Sequence, residues 1–217
     1  MGGLIKGLGS LLAVVLAAGA AWAGDSRDAV EQAISKQVVR GGIVFKTYCT
    51  LCHGPRGDGT ARAAKLYGKR NLQIQPRDAA YYEQIIRKGG AAVGRSEFMP
   101  PWEGELSEEQ ISDVVAYLTV LGDQIRRGEV LYKTNCILCH GVNADGKGRA
   151  ARLYDPPPAN LRASDKNADY KRMIIKLGGA AMGRSPVMPQ WGLELTDAEI
   201  DDIVAYLESI KGTDPGS

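Results

Sequence analysis

Two pentapeptides hold most of the chemistry available to this chain: Cys49-Thr50-Leu51-Cys52-His53 and Cys136-Ile137-Leu138-Cys139-His140. In Cys-x-x-Cys-His, two thiols one helical turn apart can form thioethers to the vinyl groups of a porphyrin, and the next residue offers an imidazole to the iron. A single such pentapeptide could be a chance match, a redox dithiol or half of a zinc site. All four cysteines and both histidines lie inside the two motifs, so a zinc site would have to draw its ligands from both. A thioredoxin-like dithiol wants a βαβ setting, and the sequence offers none. The reading is two covalently attached haem c groups, with Cys49, Cys52, Cys136 and Cys139 as thioether sulfurs and His53 and His140 on the irons.

No third histidine exists, so ligation of either iron by two histidines of one chain is impossible and the sixth ligand must be something else. A methionine thioether binds ferrous iron well and raises the reduction potential relative to a second imidazole. Of Met1, Met99, Met173, Met182 and Met188, only Met99 and Met188 stand at matching places, in Arg95-Ser96-Glu97-Phe98-Met99-Pro100-Pro101-Trp102 and Arg184-Ser185-Pro186-Val187-Met188-Pro189-Gln190-Trp191. Met173 and Met182 fall opposite Gln84 and Val93, and core packing is their default role. The same loops carry Arg95, Trp102, Arg184 and Trp191, whose N–H groups or charge could meet haem propionates. Ordinary loop anchoring for the tryptophans and solvent exposure for the arginines is an equal reading.

The elements that must position these residues come from one unit used twice. Residues 41–67 match 128–154 at an offset of 87, and 71–118 match 160–207 at an offset of 89, with about half the paired positions identical. That is a duplicated domain, not composition bias. The two extra residues fall in Asp155-Pro156-Pro157-Pro158, a loop by its proline content. In each unit a helix (33–46, then 123–133) leads into the cysteine motif. A shorter one (81–88, then 170–177) stops at Gly89-Gly90 or Gly178-Gly179, and a last one opens with the capping boxes Ser107 to Gln110 and Thr196 to Glu199. No segment alternates with period two, so the expected class is all-α without substantial sheet.

The segment Met1–Ala23 reads as a secretory signal: Lys6, an apolar run, then Ala21-Trp22-Ala23. An uncleaved anchor is the competing reading, although the stretch from Leu11 to Ala23 is shorter than the roughly 18 to 20 residues that span a bilayer. The expected layout is a signal peptide over 1–23, domains over 24–122 and 123–211, and a flexible tail over 212–217. The linker, Thr119 to Gln124, is short enough to put the domains in contact. With aromatic residues at only 6%, a domain under 100 residues has a thin core, and a buried porphyrin would supply the missing apolar volume.

The Cys-x-x-Cys-His-Gly start, the Gly-Gly run, Met-Pro-x-Trp and the terminal Val-Ala-Tyr-Leu helix resemble the class I c-type cytochromes. The dihaem members similar to cytochrome c4, and the haem domains of the third subunit of cbb3-type oxidases, are the nearest in pattern. The resemblance implies two tandem helical bundles, each around one covalent haem, in which the first and last helices of a domain cross. Gly41 and Phe45 would meet Tyr117, and Gly128 and Tyr132 would meet Tyr206. It also implies a proline whose carbonyl holds the ligand imidazole by its Nδ1–H. Pro158 fits that role in the second unit, whereas Lys69 stands at the matching place in the first.

A net charge of +2 excludes a strong nucleic-acid footprint. Its distribution is uneven: Arg56, Arg62, Lys65, Lys69, Arg70, Arg77, Arg87, Lys88 and Arg95 meet only Asp58, Asp78 and Glu83, and acids then dominate from Glu97 to Asp113. Solvated faces are the bland reading, and a docking surface for an acidic redox partner is the functional one. The leading reading is an exported periplasmic dihaem carrier passing single electrons between respiratory partners, touching the membrane only through those partners or an uncleaved anchor. One alternative is the haem-bearing electron-entry subunit of a membrane oxidase or dehydrogenase. A dihaem peroxidase-type enzyme is the alternative of another class, and two complete methionine motifs argue against its open iron.

Overall fold

The computed structural model describes Gln32, Ala33 and residues 35–67, 70–74 and 76–213. By compactness the chain forms two units, Met1–Gln37 and Val38–Ser217, and both repeats lie in the second. The expected export signal, the end of the tail and Lys69 fall outside the described residues. Among the described residues there is no strand, and no helix is long and apolar enough to cross a membrane.

In the first repeat, α1 (residues 35–48) runs into α2 (Thr50–His53), which is followed by α3 (Ala64–Tyr67), α4 (Ala79–Lys88) and α5 (Glu108–Val120). The second repeats the plan with α6 (Gln124–Asn135), α7 (Ile137–His140), α8 (Ala168–Ala181) and α9 (Asp197–Ser209). The ends sit where side-chain chemistry puts them. Asp78, Asp123 and Asn167 cap α4, α6 and α8 by accepting backbone N–H groups, and Ser107 and Thr196 close full capping boxes with Gln110 and Glu199. Gly178 leaves helical geometry at φ 81°, so the regular part of α8 ends at the glycine pair, as α4 does at Gly89.

The frame of each repeat is the crossing of its first and last helices, α1 on α5 and α6 on α9. A Cβ on Gly41 would stand 1.9 Å from the Asp113 carbonyl oxygen, and one on Gly128 would stand 1.9 Å from that of Asp202. Only glycine permits so close a backbone approach. One turn further along, Phe45 meets Tyr117 and Tyr132 meets Tyr206, each pair with ring centroids 5.4 Å apart. Both pairings are those the class I resemblance implies. A guanidinium fork locks each crossing: Arg40 Nε and Nη2 donate to the Asp113 carboxylate at 2.6 and 2.8 Å, and Arg127 does the same to Asp202 at 2.9 and 3.0 Å.

The repeats share a packed boundary. Val130 of α6 belongs to the buried apolar cluster of the first repeat, with Val44, Phe45, Val114 and Tyr117. Leu121, in the linker, is fully buried.

Candidate haem sites

Each cysteine motif is a continuation of the preceding helix by one tight turn. The amides of Cys52 and His53 both donate to the Cys49 carbonyl, at 3.2 and 2.9 Å, and His140 repeats this on Cys136 at 3.0 Å. That winding sets the two thiols of a motif one turn apart and the imidazole directly after them. The four thiols are free. Burial, reinforced by the neighbouring cysteine, pushes the Cys49 and Cys136 thiols up to about 12. Burial also holds His53 and His140 below the ordinary histidine range, which favours the neutral, metal-binding imidazole.

In the first repeat Cys49, Cys52, His53, Arg95, Met99 and Trp102 all line one cavity, whose remaining wall is largely apolar, with Ile85, Ile86, Leu106 and Leu118 among its residues. Two thiols, an imidazole and a thioether on the wall of an apolar crevice are the donor set and the setting that a covalent haem requires. Met99 is held by its loop: the Gly90 amide donates to its carbonyl at 2.9 Å, and a Cβ on Gly90 would fall 2.1 Å from the Ser96 carbonyl oxygen and 3.3 Å from Met99 Cβ. Gly179 does the same for Met188, donating to its carbonyl at 3.0 Å. In the second repeat Cys136, Met188 and Trp191 pack against a single buried cluster built on Tyr132, Ile200 and Leu207.

The arginines of the methionine loops are positioned by tyrosines. Arg95 Nε donates to the Tyr81 hydroxyl at 3.2 Å, and Arg184 Nε to the Tyr170 hydroxyl at 3.0 Å. Trp102 packs edge-on against Tyr48, centroids 5.8 Å apart. Those tyrosine partners escaped the reading of the sequence, although Tyr81 and Tyr170 recur at the same distance before their arginines.

One expectation needs correction. His140 Nδ1 lies 3.1 Å from the carbonyl oxygen of Ala159, not of Pro158. The Pro158 carbonyl faces Gly146 instead, where a Cβ would come within 2.5 Å of it. The reason lies in the chain's course: the backbone after Pro158 turns so that the next carbonyl, not its own, reaches the ring. With Nδ1 donating there, Nε2 is left for the iron. A further tether unique to this repeat was also missed: the buried Tyr132 hydroxyl donates to the Gly141 carbonyl at 2.7 Å, next to His140, where the first repeat has Phe45.

Three of the described residues of the basic run are paired with acids, while Arg62, Arg70, Arg77 and Arg95 are exposed. Arg87 pairs with Glu83 and Glu108, Lys88 with Glu103, and Arg56 with the buried Asp202.

Residues 36–118 match the family model "Cytochrome C oxidase, cbb3-type, subunit III", and residues 125–211 match "Cytochrome c". The cbb3-type cytochrome c oxidase subunit CcoP of Azospirillum brasilense is 25% identical over 182 residues, covering 77% of this chain and 60% of the relative. The subunit FixP of Azorhizobium caulinodans is 28% identical over 188 residues, covering 79% and 59%, and FixPc of Rhizobium leguminosarum bv. viciae is 26% identical over 194, covering 84% and 64%. The chain thus spans about 60% of the length of these relatives. Among solved structures, a chain of the Kuenenia stuttgartiensis reducing HAO-like protein complex Kustc0457/Kustc0458 aligns over 79% of this chain and 96% of its own, at 22% identity and a TM-score of 0.36. With a cytochrome c match on each repeat and similarity to such subunits running through both, the chain belongs with the dihaem c-type cytochromes: two tandem all-α cytochrome c domains, two covalent haem c groups, and electron transfer as their work.

Proposed function

We propose that this chain is the haem-bearing electron-entry part of a cbb3-type membrane oxidase, working on the periplasmic face, in preference to a freely diffusing carrier. The observation that carries this reading is the similarity to CcoP and FixP subunits through both repeats, together with the subunit III match on the first. Bound haem c supplies one-electron exchange between ferrous and ferric iron. Everything else falls to the chain, in two domains over 24–122 and 123–211. Cys49 and Cys52, and Cys136 and Cys139, hold the macrocycles covalently. His53 and His140 would each supply one ligand to an iron, and Met99 and Met188 would supply the second, a donor set suited to one-electron transfer with no position left for a substrate.

The surrounding residues tune that chemistry. The Ala159 carbonyl fixes the ring and tautomer of His140. Gly90 and Gly179 bind the methionine carbonyls, and the apolar wall of the first crevice would exclude water from the group held there. Arg95, Trp102, Arg184 and Trp191 carry the N–H groups that would meet the propionates.

The test is isolation of the tagged full chain from membranes of its own host. Recovery in stoichiometric amount with haem-copper oxidase subunits, and loss of donor oxidation when the chain is removed, is the expected result. Recovery alone in the soluble periplasmic fraction would overturn the subunit reading and restore the free carrier.

A further inference from the structure

Asp202 of α9 is wholly buried, and its carboxylate takes two guanidinium forks. Arg127, from its own repeat, donates at 2.9 and 3.0 Å; Arg56, from the other repeat, donates at 3.1 and 3.2 Å. Two forks fill the acceptor positions of one carboxylate. The second repeat does not need Arg56 for its own fold, because the first repeat shows what suffices: there Asp113 is gripped within its domain by the fork of the half-exposed Arg40, which also pairs with the exposed Glu109. Nor is the arginine shared by the two copies, since the counterpart of Arg56 is Asn143. It occurs in one copy only, and the bond it makes crosses the domain boundary.

Its position in the chain matters as much as its partner. Arg56 follows His53 by three residues, and its backbone carbonyl accepts from Gln73 Nε2 at 2.8 Å, which ties two loops of the first haem crevice together at that point. Beside it, Gly57 packs on Leu121, and the Leu121 carbonyl accepts from Arg127 Nη1 at 2.7 Å. Elsewhere along the boundary Val130 packs against Gly42 and Tyr117. Apolar contact is non-directional and does not by itself fix rotation of one domain on the other. A bidentate fork on a buried carboxylate does.

We propose that Arg56 is a positioning residue for electron transfer between the two haems: its fork on Asp202 fixes the peptide that ends the first haem motif against the second domain, and so sets the interhaem geometry. This rests on the reading of His53 and His140 as iron ligands.

The experiment uses the oxidised holoprotein and its Arg56→Gln variant, in which Arg127 still satisfies Asp202, with Arg56→Lys as the conservative partner. Three quantities are read: the distribution of distances between the two low-spin ferric centres by pulsed dipolar EPR, the rate of internal electron equilibration after flash reduction, and the far-red methionine-sulfur band. With Arg56→Gln, the population of separated domains should rise by about tenfold or more, the scale set by losing hydrogen bonds to a charged group. The distance distribution should broaden and the internal rate fall, with the far-red band intact, and Arg56→Lys should lie between. An unchanged distribution and rate in Arg56→Gln would overturn the proposal. A parental far-red band already short of two methionine-ligated irons would instead refute the ligand assignment, which separates the two failures.

Discussion

Gly128→Ala tests the helix crossing with opposite signs for the two effects in play. If α6 were free of α9, replacing a glycine in a helix interior by alanine would stabilise the protein by about 1 kcal/mol. At the crossing, the new methyl carbon would stand 1.9 Å from the Asp202 carbonyl oxygen, 2.6 Å from its carbon and 2.9 Å from Tyr206 Cβ. Carbon contacts settle at about 3.5–4.0 Å, so α6 and α9 must separate by on the order of 1 Å. Overpacking of that kind costs roughly 1–3 kcal/mol. The separation also stretches the Arg127 fork on a fully buried carboxylate. Weakening it adds part of the roughly 3–5 kcal/mol lost when a buried pair is broken outright.

The net expectation is a loss of about 2–4 kcal/mol, against a gain of about 1 from propensity alone. For a domain of this size, that is a fall in Tm of roughly 10–25 °C. The assay is thermal unfolding of the oxidised holoprotein, followed by far-ultraviolet circular dichroism and by the haem band together, with Gly41→Ala as the equivalent lesion in the first domain. A Gly128→Ala protein as stable as its parent, or more so, would refute the argument.

Met99→Ala and Met188→Ala should each remove about half of the weak far-red band of methionine-sulfur ligation while leaving two covalent haems per chain, read by pyridine haemochrome and mass spectrometry. Tyr132→Phe gives the second domain the residue the first already has, but leaves the Gly141 carbonyl without its donor; a loss of about 1–3 kcal/mol in denaturant unfolding is expected. Asp202→Asn should cost about 3–5 kcal/mol, because it strands the buried Arg127 and with it Arg56. Asp113→Asn should cost distinctly less in the same titration, because Arg40 is half exposed and water can take its fork. Equal losses in the two variants would remove burial as the cause of the difference.

Features repeated in both halves were legible in advance, because each copy vouches for the other. The capping boxes at Ser107 and Thr196, the glycine stops and the Met99 and Met188 loops could all be placed from the repeat, while the crossing at Gly41 and Gly128 came from the class I resemblance. What escaped was what only one copy has, or what depends on a carbonyl. No sequence pattern says whether the Pro158 or the Ala159 oxygen reaches His140, since every residue carries the same acceptor and only the local path selects one. Arg56 was read as one of a basic run, and nothing local distinguishes a guanidinium that meets solvent from one that crosses a domain boundary. The partner, Asp202, lies 146 positions away. Arg87 and Lys88 were misleading in the same way, since their acids come from the neighbouring acidic stretch, folded back beside them.

Duplication gives two domains on one plan, and they differ where they meet. The crossing helices, their glycines and their Arg–Asp forks are common to both copies, so the frame that holds each cofactor has been kept. Two of the differences fall on the boundary and beside a histidine. Arg56, where the second domain has Asn143, gives the first domain a side-chain fork onto the second, and Tyr132, where the first has Phe45, gives the second a hydroxyl tether beside its histidine. Asp202 is buried more deeply than Asp113 in part because the first domain supplies a second arginine over it. The fork common to both crossings thus serves in the second domain also as the socket for an interdomain contact through one further guanidinium. Because that guanidinium sits three residues beyond one histidine, and the socket lies on the helix that crosses the other haem domain, the contact bears on the distance between the sites without altering the ligands of either.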